Sequence, residues 1–316
     1  MKRIPLWLTV VPLVVGGGFY WHLWSGYRDT LRADIARYVP ASPVKIGGFP
    51  YRMEATIGAP TLFRDGDIRL ALRADSATAN RGPWQRDLTV VRTANPVVDA
   101  AIPALAGVRV HLTAASAISS LHLAGEVVAR QSNVFNAARI ATGLFAAPVT
   151  ATSFEVHLRE TRARSNEAWS PTPPQQAQVV LTGTGVRIGG GDPLTLAADA
   201  GITSTARLRG YAGWADGGTV ELHSLTLGDA AGEIVRLAAS AVAAKGQLRV
   251  VGTVATVCPA TLAAAFAGSA RPSELRLRVP VTLAFSGTPG AFQLAAMPAG
   301  PPRPVRAQIA KCPRLS

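Results

Sequence analysis

Apolar and polar residues alternate at period two in several separate segments of this 316-residue chain. In residues 67–75 the apolar set is Ile68, Leu70, Leu72 and Ala74. In residues 275–285 it is Leu275, Leu277, Val279, Val281, Leu283 and Phe285. Successive side chains of a strand point to opposite faces, so each segment predicts a strand with one apolar and one polar face. Pro280 in the second segment predicts an edge position or a bulge.

Glycine and proline separate these segments along most of the chain. The sequence holds 30 Gly and 23 Pro, and 16% of its residues are charged against 48% hydrophobic ones. This composition excludes a disordered chain and favours many short strands and turns over a helical bundle. We therefore expect a mainly β protein of long antiparallel, curved sheets, half-barrel or sandwich-like, with few short helices.

Residues 4–24 carry no formal charge, with Lys2 and Arg3 before them and Arg28 after. About 20 apolar residues cross the roughly 30 Å core of a bilayer as a helix. We therefore expect a transmembrane anchor at 1–26, with its aromatic residues at the two water interfaces. The positive-inside rule then predicts a single-pass inner-membrane protein whose bulk is periplasmic. The alternatives are a cleaved signal peptide, with its site at the glycine triplet 16–18, and a buried core helix.

The rest of the chain divides by composition. Residues 27–40 predict a short amphipathic helix, because Leu31, Ile35 and Tyr38 recur at helical spacing. It either continues the membrane helix or lies across the bilayer surface. Two β-rich subdomains follow at 41–165 and 177–297. The polar, proline-rich stretch 166–176 predicts a linker between them, and 298–316 a proline-rich tail.

The chain has two cysteines, Cys258 and Cys312. In an oxidising compartment an even number permits a disulfide, which would tie the tail back to the body. Two unpaired thiols are the alternative. A metal or redox pair is disfavoured, because the sequence has no CxxC motif and no histidine cluster near the cysteines.

The formal net charge of +13 raises the question of nucleic acid. The arginines are scattered singly along predicted strands, however, and do not form a basic tract interleaved with aromatic residues. A periplasmic protein also meets no DNA. We expect no nucleic-acid partner, and attribute the charge either to base composition or to attraction for anionic lipid or polysaccharide surfaces.

No motif for catalysis, metal binding or nucleotide binding is present. The histidines on predicted strands, at 111, 122, 157 and 223, fall at polar-face positions without metal-ligand spacing. No nucleophile elbow surrounds Ser116, Ser119 or Ser120, and the glycine-rich stretch 181–191 lacks the GK[ST] of a phosphate-binding loop. We expect a protein that is not an enzyme and that needs no cofactor.

Two stretches resemble a known bacterial family, the domain of unknown function 2125. The first is VKIGGFPYR (44–52), close to that family's GFPFR-type signature. The second is 211–252, with Trp214, Gly217-Gly218, a strand ending at 225–228, and Gly246-Gln247-Leu248. One departure is that Ala243-Ala244-Lys245 stands where the family usually has an acidic residue. The resemblance implies no activity or catalytic residues, and its hairpins are similar to those of AsmA-like envelope proteins, which are implicated in lipid handling.

A long sheet that is apolar on one face must pack on a second sheet or enclose an apolar ligand. Our first hypothesis is a membrane-anchored envelope protein that holds or passes lipid acyl chains in an apolar trough. The predicted lipid-facing residues are Ile68, Leu70, Leu72, Leu275, Leu277, Val279, Val281, Leu283 and Phe285. For the same residues a closed, dry core is the alternative. A second hypothesis is a scaffold or assembly factor that binds an envelope protein through an exposed edge strand within 44–62. An envelope hydrolase is the third.

Overall fold

The structure, a computed structural model, describes residues 7–82, 85–105, 108–125, 127–143, 147–161, 175–204, 210–267, 269, 272–289, 291–295 and 310–315. The helices are α1 (Trp7–Tyr38), α2 (Tyr211–Ala215) and α3 (Pro259–Ala267). The strands of the first half are β1 (Val44–Gly47), β2 (Met53–Gly58), β3 (Thr61–Arg64), β4 (Arg69–Arg73), β5 (Ser76–Gly82), β6 (Gln85–Ala94), β7 (Val97–Ala101), β8 (Arg109–Thr113) and β9 (Ser116–Ala124). Those of the second half are β10 (Val127–Thr142), β11 (Val149–Glu160), β12 (Gln175–Ile188), β13 (Leu194–Thr203), β14 (Thr219–Asp229), β15 (Gly232–Ala244), β16 (Gln247–Thr256), β17 (Val281–Thr288) and β18 (Ala291–Leu294).

All of these strands belong to one antiparallel sheet. From β10 to β18 each strand pairs with the next one in the chain. On its other side, β10 pairs with β9 along its first part and with β8 along its last part. The sheet therefore divides beside β10 into two branches, β9-β6-β5-β2-β1 and β8-β7-β4-β3. The expected mainly β architecture, an antiparallel curved sheet with few helices, is confirmed.

The sheet continues across the predicted linker. β11 and β12, which lie on either side of it, are hydrogen-bonded neighbours, so the strands of both predicted subdomains share one sheet. β12 already begins at Gln175, which makes the last two linker residues part of a strand. The other linker residues, 166–174, lie outside the described residues, as does most of the predicted tail, 298–309.

The predicted anchor and the predicted helix at 27–40 form one continuous helix, α1. Its C-terminal half packs on the sheet, where Trp24 and Leu31 are buried with Ala55 of β2. Tyr38, expected on the apolar side, is exposed instead. Val39 is buried in its place, because the position four residues after Ile35 faces the sheet.

The N-terminal half of α1 presents large apolar side chains to its surroundings. Leu13, Val14, Val15 and Phe19 are all exposed. Residues 1–6, with Lys2 and Arg3, lie outside the described residues. Within the part of the chain that is described, no helix combines the length and the apolar character required to cross a membrane.

One face of the sheet, which we call the inner face, is the face on which α1 packs. Residues directly opposite each other in an antiparallel ladder share a face, so the strand registers trace it from strand to strand. One such line, which we call the central row, crosses β1, β2, β5, β6 and then β9 to β17. Its members are Ile46, Ala55, Ala79, Val91, Ser119, Asn133, Val156, Leu181, Ala198, Leu225, Leu237, Val254 and Leu283.

A transverse crease bends the branched half of the sheet. The strands that run in the same direction as β10 bend at the crease, each at a residue with positive φ. These residues are Ala59, Asn95, Ala137 and Gly185. The ladder stays hydrogen-bonded across the crease, as in Ala59 N–H to Asp75 O and Asn95 N–H to Ala115 O, both 3.0 Å. The register of β10 with β11 is the same on both sides of Ala137, so the bend comes from the positive φ and not from an inserted residue.

The inside of the crease is lined by small residues. Ala74, Ala114, Ala138 and Ala151 are buried there, and the last two pack with Phe135 and Phe154 of the inner face. The strands beyond the crease, β3, β4, β7 and β8, therefore turn toward the inner face, and we call them the leaf.

Two loops of the leaf contact the opposite part of the sheet. The Ala212 N–H of α2 donates to the Asp67 carboxylate in the β3–β4 loop at 3.1 Å. Gly246, in the β15–β16 turn, lies beside the β7–β8 loop, where a Cβ on it would stand 3.6 Å from the Ala104 oxygen. The leaf thus faces the inner side of the second half of the sheet.

The C-terminal end of the inner face is covered. Cys258 and Cys312 are joined by a disulfide with an S–S distance of 2.02 Å. Both sulfurs lie in a buried cluster with Leu262 of α3, Leu315 of the tail and Leu283 of β17. The disulfide therefore holds the end of the chain and α3 against the last strands.

The predicted strand 275–285 is only partly a strand. β17 begins at Val281, and Leu275 instead forms an isolated bridge with Lys311 of the tail. The Cys312 N–H donates to Glu274 O and the Arg276 N–H to Ala310 O, both at 3.0 Å. The prediction fails here because the disulfide brings the tail alongside these residues and the tail takes their hydrogen bonds. Pro280, which has no N–H, separates them from β17.

Candidate functional site

The candidate site is the middle of the inner face, between the part covered by α1 and the part covered by the tail. We call this region, on β10 to β15, the trough. Its larger apolar side chains are half-buried, and they are Phe135, Phe154, Val156, Leu158, Val179, Leu181, Leu196, Leu222, Leu225 and Leu237. Among the core clusters of the described residues, the larger residues of β10 to β15 that are fully buried lie toward the ends of these strands. Val186 is buried near the crease, and Leu194, Ile234 and Val235 are buried in the C-terminal cluster.

The leaf offers a second apolar surface to the trough. Leu62, Leu72, Val98, Leu112 and Ile140 lie opposite one another in register across β3, β4, β7, β8 and β10. Leu112 is buried and the others are half-buried. The trough and the leaf are therefore two apolar surfaces whose larger side chains are mostly half-buried.

The structure brings some of the predicted lipid-facing residues to this face. Leu70 and Leu72 are half-buried on the inner side of the leaf. Val281, Leu283 and Phe285 lie on the inner face at its covered end, where Leu283 and Phe285 belong to the buried C-terminal cluster. For Leu283 and Phe285, a closed core is therefore what the structure shows.

The other predicted residues are elsewhere. Ile68 lies in the β3–β4 loop and is exposed. Leu275 and Val279 are also exposed, Val279 to 67%, and both precede β17. Leu277 also lies before β17, and its N–H donates to Val257 O at 2.8 Å. Sequence reasoning gave this segment too much weight because its alternation is strict.

Residues of the trough proper were not among the predicted lipid-facing residues. Their signal was present, since Phe154, Val156 and Leu158 alternate with Glu155, His157 and Arg159. What the sequence lacked was the register that places β11 in the centre of the sheet, away from both covered ends.

A polar patch lies on the inner face between α1 and the trough. Ser119 and Asn133 occupy the central row, and Gln131 donates to Asn133 Oδ1 at 3.5 Å. In the adjoining row, Arg81 donates to Thr89 Oγ1 at 3.0 Å. Arg81 also forms an ion pair with Asp34 of α1 at 3.1 Å. A depression of about 360 Å³ between α1 and the sheet is lined in part by His22, Tyr27, Met53 and Arg81.

The outer face is polar and carries the histidines of the sheet. His111 lies 2.5 Å from Asp99, His122 2.6 Å from Asp87, His157 3.2 Å from Glu155 and His223 3.7 Å from Asp199. The hydrogen bond from His122 lowers the pKa of the Asp87 carboxyl. Each pair joins residues of the same or adjacent strands on a solvated surface, which is the arrangement of cross-strand pairs that stabilise a sheet.

One cluster of metal-ligand residue types occurs among the described residues, formed by Cys258, Glu274 and Cys312. The two sulfurs are bonded to each other. The Glu274 carboxylate accepts from the N–H groups of Ala260 and Thr261 at 3.0 and 2.8 Å and so caps the N-terminus of α3. These groups therefore have a structural role, since a metal would need the thiolates.

The architecture defines a class of protein with an open, curved antiparallel sheet, an apolar inner face, an N-terminal helix and a C-terminal end held by a disulfide. The chain belongs to the family described as an uncharacterised protein conserved in bacteria (DUF2125), whose model matches residues 32–212. That match covers the C-terminal part of α1, the leaf, the crease and most of the trough. No curated protein and no solved structure matches the chain significantly.

Proposed function

We propose that this protein is a non-enzymatic, membrane-anchored envelope protein that holds lipid acyl chains in the trough, with its body in the periplasm. The observation that carries the proposal is the burial along the central row. Val156, Leu181 and Leu225 in the middle are half-buried, with the small Ala198 fully buried between the last two, whereas Ala55 and Ala79 near one end and Val254 and Leu283 at the other are buried. An apolar surface that the chain itself leaves incompletely covered favours an apolar occupant.

Burial energetics support an acyl chain as that occupant. Each methylene group removed from water contributes about 0.8 kcal/mol. A chain lying along several strands would desolvate both its own methylenes and the half-exposed side chains of β11 to β15. Contiguous exposed apolar surface beyond a few hundred Å² is unusual in monomeric proteins and marks binding sites.

The N-terminal half of α1 supports membrane anchoring. Residues 4–24 have no charge, and Leu13, Val14, Val15 and Phe19 are exposed on the helix rather than packed on the sheet. In an aqueous environment these side chains would be unfavourably hydrated, and in a bilayer they would not. The proposed orientation, with Lys2 and Arg3 in the cytoplasm and the sheet in the periplasm, also suits a disulfide between Cys258 and Cys312.

Native mass spectrometry of the full chain, extracted from bacterial membranes in mild detergent, tests lipid holding. Two neighbouring residues of β12 offer a matched pair, because Leu181 faces the trough and Val180 faces the outer surface opposite His157. Both are half-buried. We expect a phospholipid-range adduct on the wild-type protein and on Val180→Asp, and its loss from Leu181→Asp.

The comparison separates trough lipid from lipid carried by α1, since both variants keep the helix. An adduct that persists in Leu181→Asp, or a wild-type protein without an adduct, would contradict the proposal that the trough holds lipid. The competing role is that of a scaffold which pairs a partner strand with β1, whose register among the described residues is with β2 alone. The Gly58 N–H donates to Pro43 O, and hydrogen-bonded pairs alternate along the ladder, so the Ile46 N–H points away from β2. In that case Ile46→Pro, within β1, would lose a co-purifying envelope protein while Leu181→Asp would keep it.

A further inference from the structure

The loop between β1 and β2 packs against α1 where the helix leaves the sheet. It folds back on itself, with the Arg52 N–H donating to Gly48 O at 3.0 Å. Gly48 has φ +97, and a Cβ there would stand 2.7 Å from the Arg52 oxygen. Only glycine fits this position without strain. The tight turn projects Phe49, Pro50 and Tyr51 to one side of the sheet.

Phe49 is held by three aromatic side chains of α1. Its ring centroid lies 5.8 Å from that of Tyr20, 4.9 Å from Trp21 and 5.4 Å from Trp24. Two hydrogen bonds fix the loop to the helix, from Tyr20 OH to Pro50 O and from Trp24 Nε1 to Arg52 O at 3.4 Å. We call Tyr20, Trp21, Trp24 and Phe49, together with the exposed Tyr51 of the same loop, the aromatic cluster.

Much of the aromatic cluster remains exposed. Tyr51 is 86% exposed, Phe49 43% and Trp21 49%. A contact that only fastened the loop to α1 would not need Tyr51 or the outward side of Phe49. The cluster also adjoins the exposed apolar half of α1, so the aromatic and aliphatic surfaces are continuous along the helix.

Cationic side chains surround the cluster on the side of the sheet. Lys45 is exposed on β1, and the Arg52 side chain, 68% exposed, forms an ion pair with Glu54 at 3.1 Å. The Arg28 guanidinium lies 5.9 Å from the Trp24 ring and forms an ion pair with Asp29 at 3.0 Å. From the aliphatic part of α1 toward the sheet the order is therefore apolar, aromatic, cationic. This is the order of the acyl chains, the interface and the phosphates of a bilayer.

We propose that the β1–β2 loop docks in the interfacial region of a phospholipid bilayer, with Phe49 and Tyr51 at headgroup depth and Lys45 and Arg52 at anionic phosphates. The inference rests on the membrane anchoring in the proposed function, but not on lipid holding in the trough. It gives the sheet a fixed orientation. Leu31, where α1 packs on β2 and β5, would lie about 17 Å above Tyr20 at 1.5 Å per helical residue.

Site-specific fluorescence in vesicles tests the docking. The native disulfide leaves an introduced cysteine as the reactive thiol, so the environment-sensitive dye NBD can be placed at one position at a time. The positions are Tyr51→Cys in the loop, Val15→Cys in the helix and Phe63→Cys, an exposed aromatic residue on the leaf. The full chain is reconstituted in phosphatidylethanolamine–phosphatidylglycerol vesicles with lipids spin-labelled at shallow or deep acyl positions.

At residue 51 we expect a blue-shifted emission. The shallow spin label should quench most of this fluorescence, and the deep spin label should quench little of it. Residue 15 should be quenched by the deep label and residue 63 by neither. If the emission and quenching at residue 51 match those at residue 63 while residue 15 is quenched, the docking of the loop is contradicted and the membrane anchoring of α1 is retained. Absence of quenching at both 15 and 51 would overturn the two together.

Discussion

The middle and the C-terminal end of the inner face are built from the same kind of strand and differ in what covers them. In the central row Leu181 and Leu283 are both leucines in antiparallel strands, and each lies opposite a valine of the preceding strand, Val156 and Val254. Leu283 is 3% exposed, because the disulfide-held tail and α3 lie over it, while Leu181 is half-buried. Alternation thus predicts an apolar face, and the covering elements decide whether that face becomes a core or an open surface.

Replacing each of these two leucines by alanine should give the largest difference in stability between the two regions. Leu283→Ala leaves a cavity under the tail and should lower the free energy of unfolding by about 2–5 kcal/mol. Leu181→Ala removes methyl groups already in contact with solvent, so about 1 kcal/mol or less is expected. Urea denaturation of the detergent-solubilised chain, followed by circular dichroism, measures both. Equal losses would mean that the trough is packed as tightly as the C-terminal cluster.

Removing the disulfide should free the tail and leave the C-terminal end of the inner face incompletely covered, as the trough is. The disulfide joins residues separated by 54 positions, and loss of such a bridge typically costs about 2–4 kcal/mol. We expect that Cys258→Ser with Cys312→Ser lowers the denaturation midpoint and increases hydrogen exchange in β17. Exchange in β12 serves as the internal control and should stay unchanged. If β12 and β17 changed alike, the two regions would be one cooperative unit.

The crease offers a contrast between two positions with the same backbone conformation. Gly185 and Ala137 have φ +61 and +51, and a Cβ on Gly185 would stand 2.4 Å from Thr152 Oγ1. Gly185→Ala should therefore lose about 1–3 kcal/mol through strain. Ala137→Gly relieves an unfavourable φ and should stay within about 1 kcal/mol of the wild type. Thermal unfolding of both variants checks the pair, and a larger loss in Ala137→Gly would contradict this account of the bend.

Much of this fold was predictable from local pattern. The period-two alternation and the abundance of Gly and Pro identified a curved antiparallel β protein, and Leu31 and Ile35 identified the helix face that packs on the sheet. The crease was not predictable, because Ala59 and Ala137 carry no signal for positive φ, and Asn95 carries a weaker one than glycine would give. The loss of strand structure at Leu275 and Leu277 was not predictable either, because it depends on a tail more than thirty residues further along the chain. The open and covered parts of the inner face differ only through such distant contacts.

The outer face should give the smallest effects, because its ion pairs are solvated. The hydrogen bond from His122 holds the pKa of Asp87 below its ordinary value. A carboxyl whose pKa is lowered by folding contributes stability above its unfolded pKa, and that contribution is lost as the pH falls through the folded pKa. His122→Gln should therefore raise the Asp87 pKa toward its ordinary value in a carboxyl NMR titration, without altering lipid adducts. An unchanged titration midpoint would show that the pair is broken in solution, and a changed adduct would place the outer face in lipid binding, against the division between the two faces proposed above.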